Sequence, residues 1–365
     1  MGSRMLTKKD YTDIVTKTVK HGSTTFAGTA RHQKGEGLHE LVDPAGFGAI
    51  RRSLSRKNPI DDQFVLSCGT AMLEETRLDT TGSMGNNVSI AMKVLPQTYD
   101  LLATVENAVL KRYDVQMITA IFGDVCDNYI LCRSQAEMDE KIAEQMTYMV
   151  PEGNGGDTTE DPQYGLFGAA YLTDKVISKY YGLKSYDFTI TDAPGRSFVT
   201  LQNLKRVFGD NVLDKVKENG QEIDKDNLPS TKQIVDDLLK TTHAFLLGVG
   251  LDDHTKRDWE AIYGPERVID LPRTELLPEI KAAIIGLTEG VLTLQSLEKF
   301  LIEEAKLSKE DAAKIKRCVA GIPIGAQTLS PNFDKIPLRG AIFAKKEDLW
   351  PITETTDSSK ESMWK

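Results

Sequence analysis

Three oxygen-bearing side chains alternate along a short segment that also contains two glycines. Asp79, Thr81 and Ser83 follow an extended segment and precede a helical pattern, and Gly82 and Gly85 permit a tight turn there. Alternate residues of a loop can direct their side chains toward one point, and hard oxygen donors of this kind suit Mg²⁺ or Mn²⁺. The segment therefore predicts a metal site, although by itself it also fits a capped helix amino terminus.

Two later segments carry acidic and hydroxyl side chains at the ends of predicted strands or the starts of helices. Gly155-Gly156-Asp157-Thr158 precedes a helical pattern, and Thr189-Ile190-Thr191-Asp192-Ala193 ends an apolar run. The carboxyl ends of parallel strands meet at one edge of an open sheet, where such proteins bind their ligands. We therefore predict that these segments join the first one, although Asp192 alone also fits an ordinary turn.

Taken in order, the three segments resemble the metal-ion-dependent adhesion site of von Willebrand factor A domains. That site combines an Asp-x-Ser/Thr-x-Ser loop, a Gly-Gly-Thr or Gly-Gly-Asp loop and a Thr-Asp-Gly element. The resemblance covers about residues 65–290. It implies that Mg²⁺ or Mn²⁺ is held by Asp79, Thr81 and Ser83 of the first loop, Asp157 or its neighbour Thr158 of the second, and Asp192 of the third.

The function implied by this resemblance is binding without catalysis. An ion held largely by neutral hydroxyls and water keeps positive charge that an Asp or Glu of a partner protein can satisfy. A carboxylate at Asp157, where many members have Thr, would tighten the metal but weaken that attraction. Intracellular members of the family accompany AAA+ ATPases, chelatases and ribonucleoprotein particles, so we expect a cytoplasmic scaffold in a larger assembly.

Two other functions compete with this interpretation. Asp79-Thr80-Thr81-Gly82-Ser83 also resembles the Asp-Lys-Thr-Gly-Thr loop of haloacid-dehalogenase-like phosphotransferases, whose first Asp is phosphorylated with help from Mg²⁺. Thr81 stands where that family has its general acid, and Asp192-Ala193-Pro194 has one carboxylate where an acidic pair is expected. The third candidate is an RNA-binding scaffold that uses a basic amino-terminal arm.

The elements that must position the site form an α/β pattern. Apolar runs at 115–123, 187–191 and 244–249 alternate with helical segments, which predicts a doubly wound, mostly parallel sheet. Residues 72–77 are more polar than a central buried strand requires, so either that strand is short or its partner groups are unusual. Asp124 and Asp127, on either side of Cys126, could support the ligands of the metal from behind, but we expect them to be solvated.

Composition and charge exclude some classes of protein and suggest how the chain is divided. Its 365 residues carry a net charge of −9, but residues 1–60 alone carry +6, so the acidic remainder argues against nonspecific nucleic-acid binding. No apolar run reaches the roughly 18 residues that span a membrane, and no secretory signal is evident. We predict a basic extension (1–64), a von Willebrand A-like domain (65–290), carboxyl-terminal helices (291–330) and a tail (331–365).

Overall fold

The computed structural model describes residues 27–46, 55–57, 64–66, 70–138, 141–154 and 158–336. Two short strands, β1 (Ser55–Lys57) and β2 (Phe64–Leu66), form an antiparallel pair. The main sheet has six strands: β3 (Ala71–Asp79), β4 (Asp114–Phe122), β5 (Leu131–Arg133), β6 (Ser185–Thr191), β7 (Thr242–Gly248) and β8 (Val268–Asp270). Their order is β5-β4-β3-β6-β7-β8, and β5 alone runs antiparallel to its neighbour.

Helices cover both faces of this sheet, which confirms the predicted α/β architecture. In chain order they are α1 (Ala27–Gln33), α2 (Asn86–Val94), α3 (Lys141–Thr147), α4 (Pro162–Tyr171), α5 (Val176–Tyr181), α6 (Leu201–Phe208), α7 (Val212–Glu218), α8 (Thr231–Thr241), α9 (Asp253–Tyr263), α10 (Leu277–Thr288), α11 (Leu294–Glu303) and α12 (Lys309–Cys318). The three apolar runs predicted as strands lie within or beside β4, β6 and β7. Two apolar layers result, one on each face of the sheet.

The polar segment in β3 is a full central strand with unusual partners. All nine residues of β3 are buried. On one face, Glu75 accepts two hydrogen bonds from Arg133, at 2.8 and 2.6 Å, and Arg77 pairs with both Glu75 and Asp187. Because buried charges are tolerated only when they are paired, this network is what allows so polar a strand to be central.

The opposite face of β3 carries a second buried ion pair. Side chains two residues apart share a face of a strand, so Glu74 and Thr76 point away from Glu75 and Arg77. Lys281 of α10 reaches both of them, with its Nζ 2.9 Å from Glu74 Oε1 and 2.5 Å from Thr76 Oγ1. The central strand is thus held by charge on both faces, by Arg133 of β5 and Asp187 of β6 on one and by Lys281 of α10 on the other, where a Val/Ile run would use apolar packing.

Segments at both ends of the described chain pack onto the sheet domain. The Val42 carbonyl accepts a hydrogen bond from the Arg133 backbone N–H at 2.9 Å, so residues near 42 cover the outer edge of β5. Buried residues of α11 and α12 belong to the same apolar layer as α10 and the sheet. Residues 337–365 lie outside the described part. No described helix has the length and apolar character needed to cross a bilayer.

His243 in β7 is a buried histidine whose environment opposes protonation. Burial first, and then the charge of Lys184, lowers the pKa of its imidazole to about 3 from 6.5, despite the hydrogen bond with Gln327. Between those pH values the unfolded chain binds a proton here that the folded protein does not. The free energy of unfolding therefore falls as the pH is lowered through this range.

We expect this imidazole to make the protein acid-sensitive. Between about pH 7 and about pH 4.5, the free energy of unfolding of the parent should fall by about 3 kcal/mol more than that of His243→Leu, at about 1.4 kcal/mol per pH unit. Urea unfolding of both proteins at the two pH values measures the difference. Equal losses would contradict the assignment of a neutral buried imidazole.

Candidate metal centre

The first predicted loop begins where β3 ends and is held by hydrogen bonds to Asp79. The Asp79 side chain is fully buried. Its Oδ1 accepts hydrogen bonds from the backbone N–H of Thr81 at 2.9 Å and from the Thr81 hydroxyl at 2.7 Å, and its Oδ2 accepts one from the Thr191 hydroxyl at 2.6 Å. The carboxylate therefore joins the end of β3 to the end of its parallel neighbour β6.

Ser83 connects this loop to the third predicted segment. Its Oγ donates to Asp192 Oδ1 at 2.8 Å and lies 3.2 Å from the hydroxyl of Thr81. Gly85, with φ of +49°, supplies the left-handed backbone that ends the turn before α2. Asp79, Thr81, Ser83 and Asp192 thus form one chain of hydrogen bonds at the carboxyl edge of the sheet, where the sequence predicts them.

The second predicted segment is only partly described, and Glu160, two residues beyond it, lies beside Asp79. Asp157 lies outside the described residues, and Thr158 is described and exposed. Glu160, which the sequence analysis did not select, is 3% exposed. Burial and then the charge of Asp79 raise the pKa of Glu160 to about 8, although the nearby Thr81 side chain opposes the shift. The available signal was its place in an acidic pair just before Pro162, at the start of α4.

Among the described residues, no Lys or Arg forms an ion pair with Asp79, Asp192 or Glu160. Burial raises the pKa of Asp79 to about 6, against the hydrogen bonds from Thr191 and Thr81 and with a further contribution from the charge of Asp192. Burial also raises the pKa of Asp192. In the described part of the chain, neither these two nor Glu160 forms an ion pair with a Lys or Arg, and Glu160 Oε2 is buried without a hydrogen-bond partner.

These features fit a divalent cation whose ligands include hydroxyls. Within the described ranges, no three carboxylate, imidazole or thiolate side chains form a group that could hold a metal by themselves. An ion at this edge would need the Thr81 and Ser83 hydroxyls and water in addition to carboxylates. Such a mixed oxygen set is typical of Mg²⁺, which retains several waters.

The loop after β6, beside the candidate metal centre, packs against Trp259 of α9. Trp259 of α9 donates from Nε1 to the Ala193 carbonyl at 3.0 Å. A Cβ at Gly195 would lie 2.4 Å from the Trp259 ring, so only glycine fits there. Asp124 and Asp127, expected to be solvated, are instead buried after β4, which corrects that expectation. They are held by the loop's own N–H groups and, for Asp124, by Arg196.

Comparisons with known proteins give neither a family nor a close relative. No family model and no curated protein match the chain. Among solved structures, it is similar to the pilus adhesin SpaC from Lactobacillus rhamnosus GG in its open conformation, at 14% identity and a TM-score of 0.42, covering 63% of this chain and 33% of that one. It is also similar to proximal thread matrix protein 1 from the mussel byssus with a zinc-occupied MIDAS motif, at 13% identity and a TM-score of 0.35, covering 60% and 48%.

A third similar structure is the pilus adhesin RrgA from Streptococcus pneumoniae, at 10% identity and a TM-score of 0.32, covering 61% of this chain and 47% of that one. The chain thus spans between a third and a half of the length of these three proteins. Similarities of this size assign neither a family nor a function to it.

Proposed function

We propose that this protein is a von Willebrand factor A-type interaction module whose bound Mg²⁺ or Mn²⁺ recruits a partner protein through an acidic side chain. The observation that carries the proposal is the continuous hydrogen-bonded set of Asp79, Thr81, Ser83 and Asp192 at the carboxyl edge of the sheet. These residues come from two adjacent parallel strands and match the spacing of the resemblance. The uncompensated carboxylate of Glu160 beside them supports it further.

Each residue has a distinct part in this proposal. The Thr81 and Ser83 hydroxyls are neutral ligands, and Asp79, Asp192 and Glu160 bind the ion directly or through water. Asp157 remains a proposed ligand of the second loop. When bound, the ion supplies positive charge at the surface end of the sheet, and Ser83 is exposed there to an incoming carboxylate. The protein part of the site orients the ion and catalyses nothing.

The number of carboxylates decides between a recruiting ion and a structural one. If Asp79, Asp192 and Glu160 all bind as anions, their charge exceeds that of a divalent cation, and attraction for a partner's carboxylate weakens. Neutral hydroxyl ligands and water-bridged carboxylates preserve that attraction. Recruitment of a partner and simple metal binding therefore need separate measurements.

We expect Ser83→Ala to weaken Mn²⁺ binding by about tenfold or more, because changes even outside the ligand shell of metal sites cost 10- to 100-fold in affinity. Ser89→Ala is the matched control: Ser89 is also exposed, lies six positions further along, and donates only to the Asn86 carbonyl. Calorimetric titration with Mn²⁺ measures both. Equal affinities in the two variants would show that Ser83 is not a ligand.

Partner recruitment is tested by capture from native cell extract in Mg²⁺ and again in EDTA. We propose that the partner belongs to an intracellular assembly, such as one containing an ATPase or a ribonucleoprotein. Proteins retained in Mg²⁺ and lost both in EDTA and with Ser83→Ala support metal-bridged recruitment. Retention that is equal in all three samples contradicts it. Salt-sensitive RNA binding that disappears when residues 1–60 are deleted would favour the alternative function of the basic arm.

A further inference from the structure

One guanidinium joins the loops that follow β4 and β6 to the loop that leads into α4. Arg196 follows β6, and its Nε lies 3.1 Å from Asp161 Oδ1, while its Nη2 lies 3.2 Å from Asp124 Oδ2. Both carboxylates are almost completely buried, whereas the Arg196 side chain is 30% exposed. Asp161 Oδ2 also accepts from the Val125 N–H at 2.8 Å, so these loops converge on one charged cluster.

The main chain of Glu160 pairs with the segment that carries Arg196. The Glu160 N–H donates to the Pro194 carbonyl at 2.9 Å, and the Arg196 N–H donates to the Glu160 carbonyl at 3.0 Å. The main chain of Glu160 is therefore hydrogen-bonded to Pro194 and to Arg196 itself. Its neighbour Asp161 is fixed through the Arg196 side chain. Residue 196 thus contacts Glu160 through its backbone N–H and the adjacent Asp161 through its side chain.

We propose that Arg196 is a positioning residue of the metal centre, which holds Glu160 beside Asp79 and Thr81 by tying Asp161 and Asp124 together. The inference rests on the proposed function, because it assigns Glu160 to the ion. The described contacts of the Arg196 side chain are with Asp161 and Asp124, and neither of these is a proposed ligand of the ion. Its effect on metal affinity passes through the position of the Glu160 carboxylate.

The chemistry of the cluster requires an arginine at this position. Asp124 and Asp161 are buried neighbours of like charge, and a planar guanidinium can donate to both at once through separate nitrogens. Without it, Asp124 and Asp161 lose the cation that they share, and their charges act more strongly on Glu160 and on each other. A lysine retains the charge but presents it as a single point, so it should restore the position of Glu160 only in part.

A second arginine, which contacts the loop after β4 from a helix, provides a matched control. Arg206 of α6 donates to the carbonyl of Val125 at 2.7 Å, and it also contacts the carbonyls of Asp127 and Asn128. It therefore stabilises the loop after β4 but has no described contact with Asp161 or Glu160. Loss of Arg206 tests whether general loosening of that loop is enough to disturb the metal centre.

The first experiment titrates Mn²⁺ into the full-length protein and three variants. We expect Arg196→Gln to bind Mn²⁺ 10- to 100-fold more weakly, as for other residues that orient metal ligands, Arg196→Lys to be intermediate, and Arg206→Gln to match the parent within about twofold. Equal weakening by Arg196→Gln and Arg206→Gln would overturn the proposal, because it would indicate nonspecific loosening.

A double-mutant cycle separates positioning from a general structural effect. In a Glu160→Gln background the carboxylate that Arg196 positions is already gone, so Arg196→Gln should weaken Mn²⁺ binding no further. A second, full loss in that background would mean that Arg196 acts on the centre by another route. Arg196→Lys, which preserves the charge, is carried through the same cycle in case Arg196→Gln folds poorly.

Hydrogen exchange in the metal-free protein tests whether Arg196 holds Glu160 in place. In EDTA, the peptide containing the Glu160 amide should exchange faster in Arg196→Gln than in the parent and in Arg206→Gln, because its bond to the Pro194 carbonyl loses support. Unchanged exchange would overturn the inference about Arg196. Absence of Mn²⁺ binding by the parent would instead contradict the proposed function, so the two failures are distinguishable.

Discussion

Replacing Arg77 with methionine is expected to destabilise the protein by about 3–5 kcal/mol. Arg77 is fully buried between Glu75 and Asp187, and removing one partner of a buried charge network leaves the others without compensation. A Cβ on Gly165 of α4 would lie 2.3 Å from Arg77 Cδ, so the side chain is enclosed and water cannot replace it without rearrangement. Urea unfolding monitored by circular dichroism measures the loss.

The control for this substitution is an ion pair on the surface. Lys232 and Asp236 pair on the exposed side of α8, and Lys232→Met should change the free energy of unfolding by less than about 1 kcal/mol. A change of similar size for both variants would mean that the buried network contributes no more than a solvated pair. The ion pairs of Arg77 would then not explain how so polar a strand can be central.

Asp79→Ala is expected to abolish Mg²⁺ and Mn²⁺ binding. Asp79 is the residue on which the other site groups converge, since it accepts hydrogen bonds from Thr81 and Thr191 and lies beside Glu160. The fold should persist, because the site lies at the edge of the sheet. Removing one of several neighbouring carboxylates also relieves repulsion in the metal-free protein, which favours its stability.

Calorimetry with the parent, Asp79→Ala and Asp253→Ala tests this expectation. Asp253 is an exposed carboxylate in the first turn of α9, at the same edge of the sheet but outside the hydrogen-bonded set. Its loss should leave metal affinity unchanged. Binding by Asp79→Ala with the affinity of the parent would remove Asp79 from the site.

The same position also tests the phosphotransferase alternative. We expect no phosphorylated aspartate and no phosphatase turnover with model phosphomonoesters. Thr81 stands where a general acid would be needed, and its hydroxyl is bonded to Asp79. Turnover in the parent that disappears in Asp79→Asn would contradict the proposed function and support the alternative.

Local patterns in the sequence indicated three of the six strands of the main sheet and part of the candidate site. The apolar runs indicated β4, β6 and β7, and the spacing of Asp79, Thr81 and Ser83 indicated a turn that directs three oxygens to one point. Asp192 could be joined to them because it ends a second strand. The carboxyl ends of parallel strands must share an edge, so order along the chain was enough for these residues.

The partners of the buried charges were decided by the tertiary structure. Glu75 meets Arg133 across 58 positions of the chain, and Arg77 meets Asp187 across 110. The position of Glu160 could not be predicted for the same reason. Its burial near Asp79 and its hydrogen bond with Arg196 depend on how three loops pack. Periodicity reports which face of an element a residue occupies, but the free energy of a buried charge depends on the opposite charge that lies beside it, and only packing brings the two together.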